Sequence, residues 1–460
     1  MNRVPSPLVV IDVVGLTPSL MGSDTPHLSA LAEDGFAAEL APVLPAVTCT
    51  AQATMLTGAL PREHGVVGNG WYFRDLAEVM FWRQSNRLIA GEKLWETARR
   101  RRPDLSTAIL FWWFNMYSSA ERSVTVRPIY PADGRKIPAL YSHPPELAAA
   151  LEAESGRFPF FHFWGPKSGL ASSEWIARAA LDLYRRERPD LLLVYLPHLD
   201  YDMQRLGPSH PSMPSQVRAI DRVAGALIDG VRADGAEVVV VSEYGLEDAH
   251  TPIHINRALR SAGLLAVRET LGWELLDAGA SRAFAVADHQ VAHVYVADPA
   301  DRDRVAKLVA AQPGVARVLD RAGQGEFGLD HERSGELVAV AEPGAWFTYY
   351  YWLDDTSAPD FARTVDIHRK PGYDPAELFL DPDRRFVKAR VLWNLAKKAA
   401  GFRYLMDVIP LRADLVKGTH GRAPVDAEHG PLLLCSNRRG KVDRMAMTDV
   451  RDFLLRQIAA

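Results

Sequence analysis

The sequence predicts an α/β fold: a doubly wound, mostly parallel sheet core with an inserted α+β cap region. Three observations support this. Near-continuous apolar, β-branched runs alternate with stretches of helical periodicity, as expected when strands are buried on both faces of a parallel sheet. An acidic residue lies in or just after each of these runs, where open α/β sheets gather their ligands. The composition is that of a globular chain able to bury a large core, with 48% hydrophobic and 24% charged residues over 460 positions.

In chain order, residues 7–16 (PLVVIDVVGL) form the first strand, interrupted by Asp12. Within residues 44–69 a threonine-rich turn (Thr48, Cys49, Thr50) precedes a short helical run. Residues 111–164 are rich in aromatics, which could wall a pocket, although plain core is the more frequent use. Helical spacing over 175–188 leads into the strand LLLVYL (191–196), followed by Asp200. Helical spacing over 217–232 leads into EVVVVS (237–242), followed by Glu243. From 255 to 401 the rhythm breaks, with HVYVAD, a glycine-rich acidic stretch and ELVAVAEPGAWFTYYYW, so this segment reads as the α+β cap. The core is then 1–254 and 402–460, with LLLC (432–435) returning to the sheet and 447–459 as a closing helix.

Lys plus Arg number 53 against 57 for Asp plus Glu, a formal charge of -4 that gives no electrostatic reason for nucleic-acid binding. The two cysteines, Cys49 and Cys435, exclude a disulfide framework and a cysteine-rich zinc site. Any metal must therefore use oxygen and nitrogen ligands, and a reducing compartment fits. The first apolar run lacks the basic start and cleavage site of a signal peptide, and no stretch reaches the roughly 18 apolar residues of a membrane span. The expectation is a cytoplasmic protein with neither nucleic acid nor membrane as partner; the sequence leaves its oligomeric state open.

No GxxxxGK[ST], GxSxG, HExxH or CxxC occurs, which removes the main support for those chemistries. What remains is Thr48 at the mouth of a helix. Its hydroxyl suits either a plain N-cap or an anion site where free N–H groups converge.

The arrangement of several motifs resembles the nucleotide pyrophosphatase/phosphodiesterase branch of the alkaline phosphatase superfamily. The matching pieces are Asp12 in the first strand, Thr48 ahead of TMLTG (54–58) with Pro61, His64 and Gly65, LPHLDYDMQRLGP (196–208), VVVVSEYG (238–245), and KGTHG (417–421) with Gly430 and Pro431. The resemblance implies two divalent metal ions, Zn or Mn. Asp12, Thr48 and Glu243 would serve one, and Asp200 and His420 the other. It also implies Thr48 as catalytic nucleophile in metal-dependent hydrolysis of a small organic phosphate, a phosphodiester or phosphomonoester, through a phosphothreonine. A dication lowers the pKa of a threonine hydroxyl enough to expose the alkoxide. The alternatives are a phosphonate C–P hydrolase and a degenerate scaffold that binds phosphate without turnover.

Three positions depart from the family pattern. Tyr244 and Gln204 stand where histidine ligands are usual, and Ala51 stands where asparagine is usual. A phenol and an amide make the metal positions harder and richer in oxygen, which favours Mn²⁺, Mg²⁺ or Fe, the alternative being a site that has lost one metal. Gln52 or Asn69 could replace the missing donor to phosphate. His254 and His368 are further candidates for metal or substrate, and Asp202 and His198 lie beside Asp200. Cys49 raises a sulfatase-type formylglycine reading, but Ala51 and Ala53 occupy the proline and arginine places that such a motif needs.

Overall fold

The structure is a computed structural model and describes residues 6–132 and 135–458. Among these residues the central sheet has nine strands. In spatial order they are Arg444–Ala446, Phe36–Ala41, Leu432–Cys435, Glu237–Val241, Leu8–Val13, Leu191–Leu196, Thr107–Leu110, Arg122–Val126 and Leu140–His143. The five strands from Glu237–Val241 to Arg122–Val126 are parallel. Leu432–Cys435 and Leu140–His143 run against their neighbours.

Period-2 alternation explains why the central strands are apolar throughout. Leu8 and Val10 pack with Met55, Trp95 and Phe453 on one face. Val9, Ile11 and Val13 pack with Leu28, Trp175 and Ile220 on the other. Leu191–Leu196 and Glu237–Val241 divide their side chains in the same way. Helices therefore cover both faces: Pro26–Asp34, Leu170–Glu187 and Met213–Ala233 on one, and Thr48–Thr57, Leu94–Arg101 and Val450–Ile458 on the other. Leu170–Glu187 starts before the apolar periodicity does, because Ser172 and Ser173 are polar yet buried. The closing segment begins as a 3-10 turn, Met447–Asp449, before the helix; residue 459 lies outside the described residues.

Between the core segments, Ala283–Asp288, Val291–Val296, Leu337–Ala341 and Val315–Leu319 form an antiparallel sheet. This sheet shares its hydrophobic cluster with Val66, Val67 and Trp71 of the segment that follows Thr48–Thr57. One face of this second sheet is thus continuous with the ground on which the threonine turn stands.

Candidate active site

The strand ends set the site. Asp12 lies level with Tyr195 and Val241 of the flanking strands, one residue before the first strand ends. Glu243 follows Glu237–Val241 by two residues, and Asp200 lies in the first turn of His198–Leu206. His420 follows the short strand Gly418–Thr419, which pairs with Glu247–Asp248. Thr48 opens Thr48–Thr57, whose ten residues are all buried and whose end is fixed by Gly58 in the left-handed region at φ +66°. The N-cap is Val47 and no side chain caps the helix. The Thr48 hydroxyl instead sits 3.1 Å from the Tyr244 hydroxyl.

Gln52, one turn further on, is fully buried and ties two carboxylates together. Its Nε2 donates to Asp12 Oδ2 (3.0 Å) and Glu243 Oε1 (2.6 Å), while its Oε1 accepts from the Trp113 backbone N–H (2.7 Å). Asp12 Oδ1 and Glu243 Oε2 stay buried without a partner. Burial raises the pKa of both groups, and for Glu243 the charge of Asp12 adds to the rise. The hydrogen bond from Gln52 offsets part of the effect at Glu243.

Around Asp200 the donors are neutral. Gln204 Nε2 donates to Asp200 Oδ2 (2.6 Å), the Tyr244 hydroxyl donates to Oδ1 (3.3 Å), and His420 Nε2 lies 3.7 Å from Oδ1. Gln204 Oε1 in turn accepts from the Tyr373 hydroxyl (2.8 Å). Burial pushes the Asp200 carboxyl up to about 7 against the pull of the Gln204 hydrogen bond. His420 Nδ1–H donates to the Ala46 carbonyl (2.8 Å), which leaves Nε2 as an acceptor, and burial holds its pKa down at about 3. Its ring stacks on Tyr244 (3.6 Å) and lies 3.7 Å from the His289 ring.

Asn69 borders the same space. Its Oδ1 accepts from the Cys49 N–H (3.0 Å), and its own N–H and Nδ2 donate to Asp288 (2.7 and 3.1 Å). The cavity between them, ≈ 20 Å³, is lined by Thr48, Asn69, Asp200, Tyr244 and His420 together with Trp82, Trp113, Trp164, His289 and Tyr373. A second cavity of ≈ 300 Å³ lies beyond the Glu243 turn, between Thr17, Met203 and Arg422. None of the predicted site residues lines it, so its size does not make it the reaction centre.

Thr48, Asp12, Gln52, Asn69, Asp200, Gln204, Glu243, Tyr244 and His420 are therefore brought together. His254 and His368 are not: His254 Nδ1 bonds the Thr348 hydroxyl (2.8 Å), and His368 Nδ1 bonds the Phe81 carbonyl (3.3 Å). Their rings complete local packing outside the cavity. Asp202 is paired with Arg205 (2.6 Å) and His198 with Gln216 (3.1 Å), and neither borders the cavity. The expectation of plain core for the aromatic segment holds for Phe111 and Phe158, whereas Trp113 and Trp164 form cavity wall. His289, Asp288 and Tyr373 escaped the sequence reading. The DHQ triplet at 288–290 inside an apolar strand pair was the available signal.

These donors decide what the metal positions can hold. At Asp12, Glu243 and Thr48, two orphaned carboxylate oxygens and a hydroxyl form a hard, oxygen-only set that fits one cation. At Asp200 the amide and phenol present hydrogens to the carboxylate where imidazole lone pairs would be needed, and this set does not fit a second zinc. Among the described residues, no three His, Cys, Asp or Glu side chains group so as to hold a metal.

A doubly wound sheet thus carries a threonine-headed helix and converging acids at its carboxyl edge. The family model for type I phosphodiesterase / nucleotide pyrophosphatase matches residues 8–374, and the chain belongs to that family. An uncharacterised pyrophosphatase/phosphodiesterase of Schizosaccharomyces pombe is 26% identical over 258 residues, 53% of this chain and 46% of that protein. The chain thus spans less than half the length of this curated relative. Among solved structures, murine ectonucleotide pyrophosphatase/phosphodiesterase 5, in an inactive variant bound to AMP, superposes with a TM-score of 0.60 at 15% identity, covering 99% of this chain and 95% of that chain. Phosphonoacetate hydrolase from Sinorhizobium meliloti 1021, bound to phosphonoacetate, gives 0.61 at 17% identity, covering 99% and 96%. These two likenesses bear on the fold.

Proposed function

We propose that the protein hydrolyses a small phosphate ester at Thr48, assisted by one oxygen-preferring divalent cation, Mn²⁺ or Mg²⁺, held by Asp12, Glu243 and Thr48. The observation that carries this reading is the pair of buried, unpartnered oxygens, Asp12 Oδ1 and Glu243 Oε2, beside the Thr48 hydroxyl. A phosphoryl group entering among three buried carboxylates needs their charge offset. When bound, a dication supplies that offset and lowers the pKa of the threonine hydroxyl. Gln52 holds both carboxylates from behind and orients their free oxygens inward. Thr48 Oγ1 attacks phosphorus, its proton passing to Glu243 and from there to the departing ester oxygen. His420 Nε2, neutral and free to accept, then relays a proton from the water that cleaves the phosphothreonine to Thr48 Oγ1 as it leaves. In this reading residues 255–401 form a cap that completes the cavity wall with His289 and Tyr373.

The test combines metal analysis of chelator-free protein with hydrolysis of bis-p-nitrophenyl phosphate in Mn²⁺, Mg²⁺ and Zn²⁺. One metal per chain and turnover best in Mn²⁺ or Mg²⁺ support the proposal. No turnover in any of them, with the phosphate analogue still bound, supports the second reading, a phosphate-binding scaffold without catalysis. That reading is favoured by the hydrogen-bonded series Tyr373, Gln204, Asp200, Tyr244, which satisfies the second position with protein groups alone. The two cysteines are free and buried, in keeping with a reducing compartment such as the cytoplasm.

A further inference from the structure

The helix Val387–Ala399 is amphipathic the wrong way round for a surface helix in water. Val387, Val391 and the buried Asn394 face the protein, beside Ala376, Val408 and Ile409. Asn394 Nδ2 donates to the Leu405 carbonyl (2.8 Å), which ties the helix to the segment after it. At 100° per residue the opposite arc runs through Leu395, Leu392, Ala396 and Trp393, and all four are exposed, Leu392 at 68% and Trp393 at 62%. Phe386, Phe402 and Leu405 extend the apolar patch beyond both helix ends, at 82%, 68% and 46% exposure. An apolar surface of this kind on a globular protein marks an interaction site.

Charge identifies the partner. From Arg384 to Met406 the chain has seven Lys or Arg and no acid. Arg384 and Arg390 are both paired with Asp407 (2.7 Å each). Lys388, Lys398, Arg385 and Arg403 are exposed on the same segment without an acidic partner, and Lys397 lies 5.5 Å over the exposed Trp393 ring. A second copy of this chain seated on the patch through a two-fold axis would set these cations against their own kind. A basic rim around exposed Leu, Phe and Trp matches a lipid surface, where aromatic and aliphatic side chains enter the acyl boundary and Lys and Arg stay among the phosphates. With 13 residues the helix is too short to cross a bilayer, and among the described residues no helix is long and apolar enough to do so. We infer that the 384–405 segment docks the protein peripherally on an anionic lipid bilayer.

The test is flotation of the full chain with vesicles of phosphatidylcholine alone and of phosphatidylcholine with phosphatidylglycerol, at low and high salt. Wild type is expected to bind the anionic vesicles at least about tenfold more tightly than the neutral ones, and less tightly as salt rises. The triple change Leu392→Ser, Trp393→Ser and Leu395→Ser should lower that affinity about tenfold or more. So should Lys388→Glu with Lys398→Glu, which leaves the apolar side chains in place. Wild type that fails to float with either vesicle overturns the inference. So does equal binding by wild type and both variants. Lipid-free dimerisation that the triple variant abolishes also overturns it, by making a second copy the occupant.

Discussion

Thr48→Ala separates a nucleophile from a structural hydroxyl, because the two roles predict different ratios of lost activity to lost stability. Thr48 is 3% exposed and is not the helix cap, so no capping energy is at stake. The change removes one hydrogen bond to Tyr244, about 1 kcal/mol, and one buried methyl, about 0.8 kcal/mol. Tyr244 keeps Asp200 as partner, so no polar group is orphaned. Alanine returns about 0.5 kcal/mol through its helix propensity. The net loss is about 1 kcal/mol, read as a small shift of the urea midpoint. Hydrolysis of bis-p-nitrophenyl phosphate in Mn²⁺ should meanwhile fall roughly a thousandfold or more, as when other nucleophiles are deleted. Thr48→Ser keeps the oxygen and loses the methyl, so it should match the alanine variant in stability and keep activity within about tenfold of wild type. A folded Thr48→Ala protein that retains a tenth of wild-type turnover refutes the nucleophile.

Gln204→His combined with Tyr244→His should raise bound zinc from at most one ion per chain to two, measured by metal analysis after dialysis, because both side chains already reach Asp200; an unchanged zinc content would count against that placement. Gln52→Leu strips the shared donor from Asp12 and Glu243 and strands the Trp113 N–H, so urea unfolding should show about 3 to 5 kcal/mol of lost stability, and an unchanged midpoint would mean that the amide does not bridge the acids. His293 is buried and neutral, donating to the Val67 carbonyl, with its pKa held down at about 4 from 6.5. The unfolded chain binds the extra proton below pH 6.5, so stability present above that pH is lost as pH falls towards 4, about 2 kcal/mol of it by pH 5. Asp288, raised to about 7 by burial, acts in the opposite direction, so the measurement is the difference in pH slope between wild type and His293→Gln, which should vanish if the ring were exposed.

The strands that carry the site were legible because they are buried on both faces: Leu8–Val13, Leu191–Leu196 and Glu237–Val241 have no polar alternation to confuse the reading. The outer strands were not. Arg122–Val126 and Leu140–His143 are short, mixed in polarity and set in an aromatic segment, so only pairing reveals them. Asp12, Asp200 and Glu243 could be read from their places at strand ends and Thr48 from its turn, whereas His420 came only through the family resemblance. The roles of Tyr373 and His289 could not, since each acts through a contact across the fold, Tyr373 with Gln204 and His289 with the His420 ring. For His254, nearness in sequence to Glu243 says nothing of which way its ring turns, and it bonds Thr348 instead; His368, in DIHRKPGYDP, bonds the Phe81 carbonyl.

The cavity beside Thr48 has room for about one water molecule, and its wall is largely indole and phenol. A phosphate ester exceeds that volume, so a bound ligand requires the wall to yield, at Trp82, Trp113, Trp164 or Tyr373. Trp164 is anchored to Glu377 (2.5 Å), which is itself buried against Lys370 (2.7 Å), so movement of Trp164 would break a hydrogen bond to an ion-paired carboxylate. Apparent affinity then equals the intrinsic affinity scaled by the fraction of chains in the open arrangement. The observed association rate should level off at high ligand concentration, at a ceiling set by the swing of the wall.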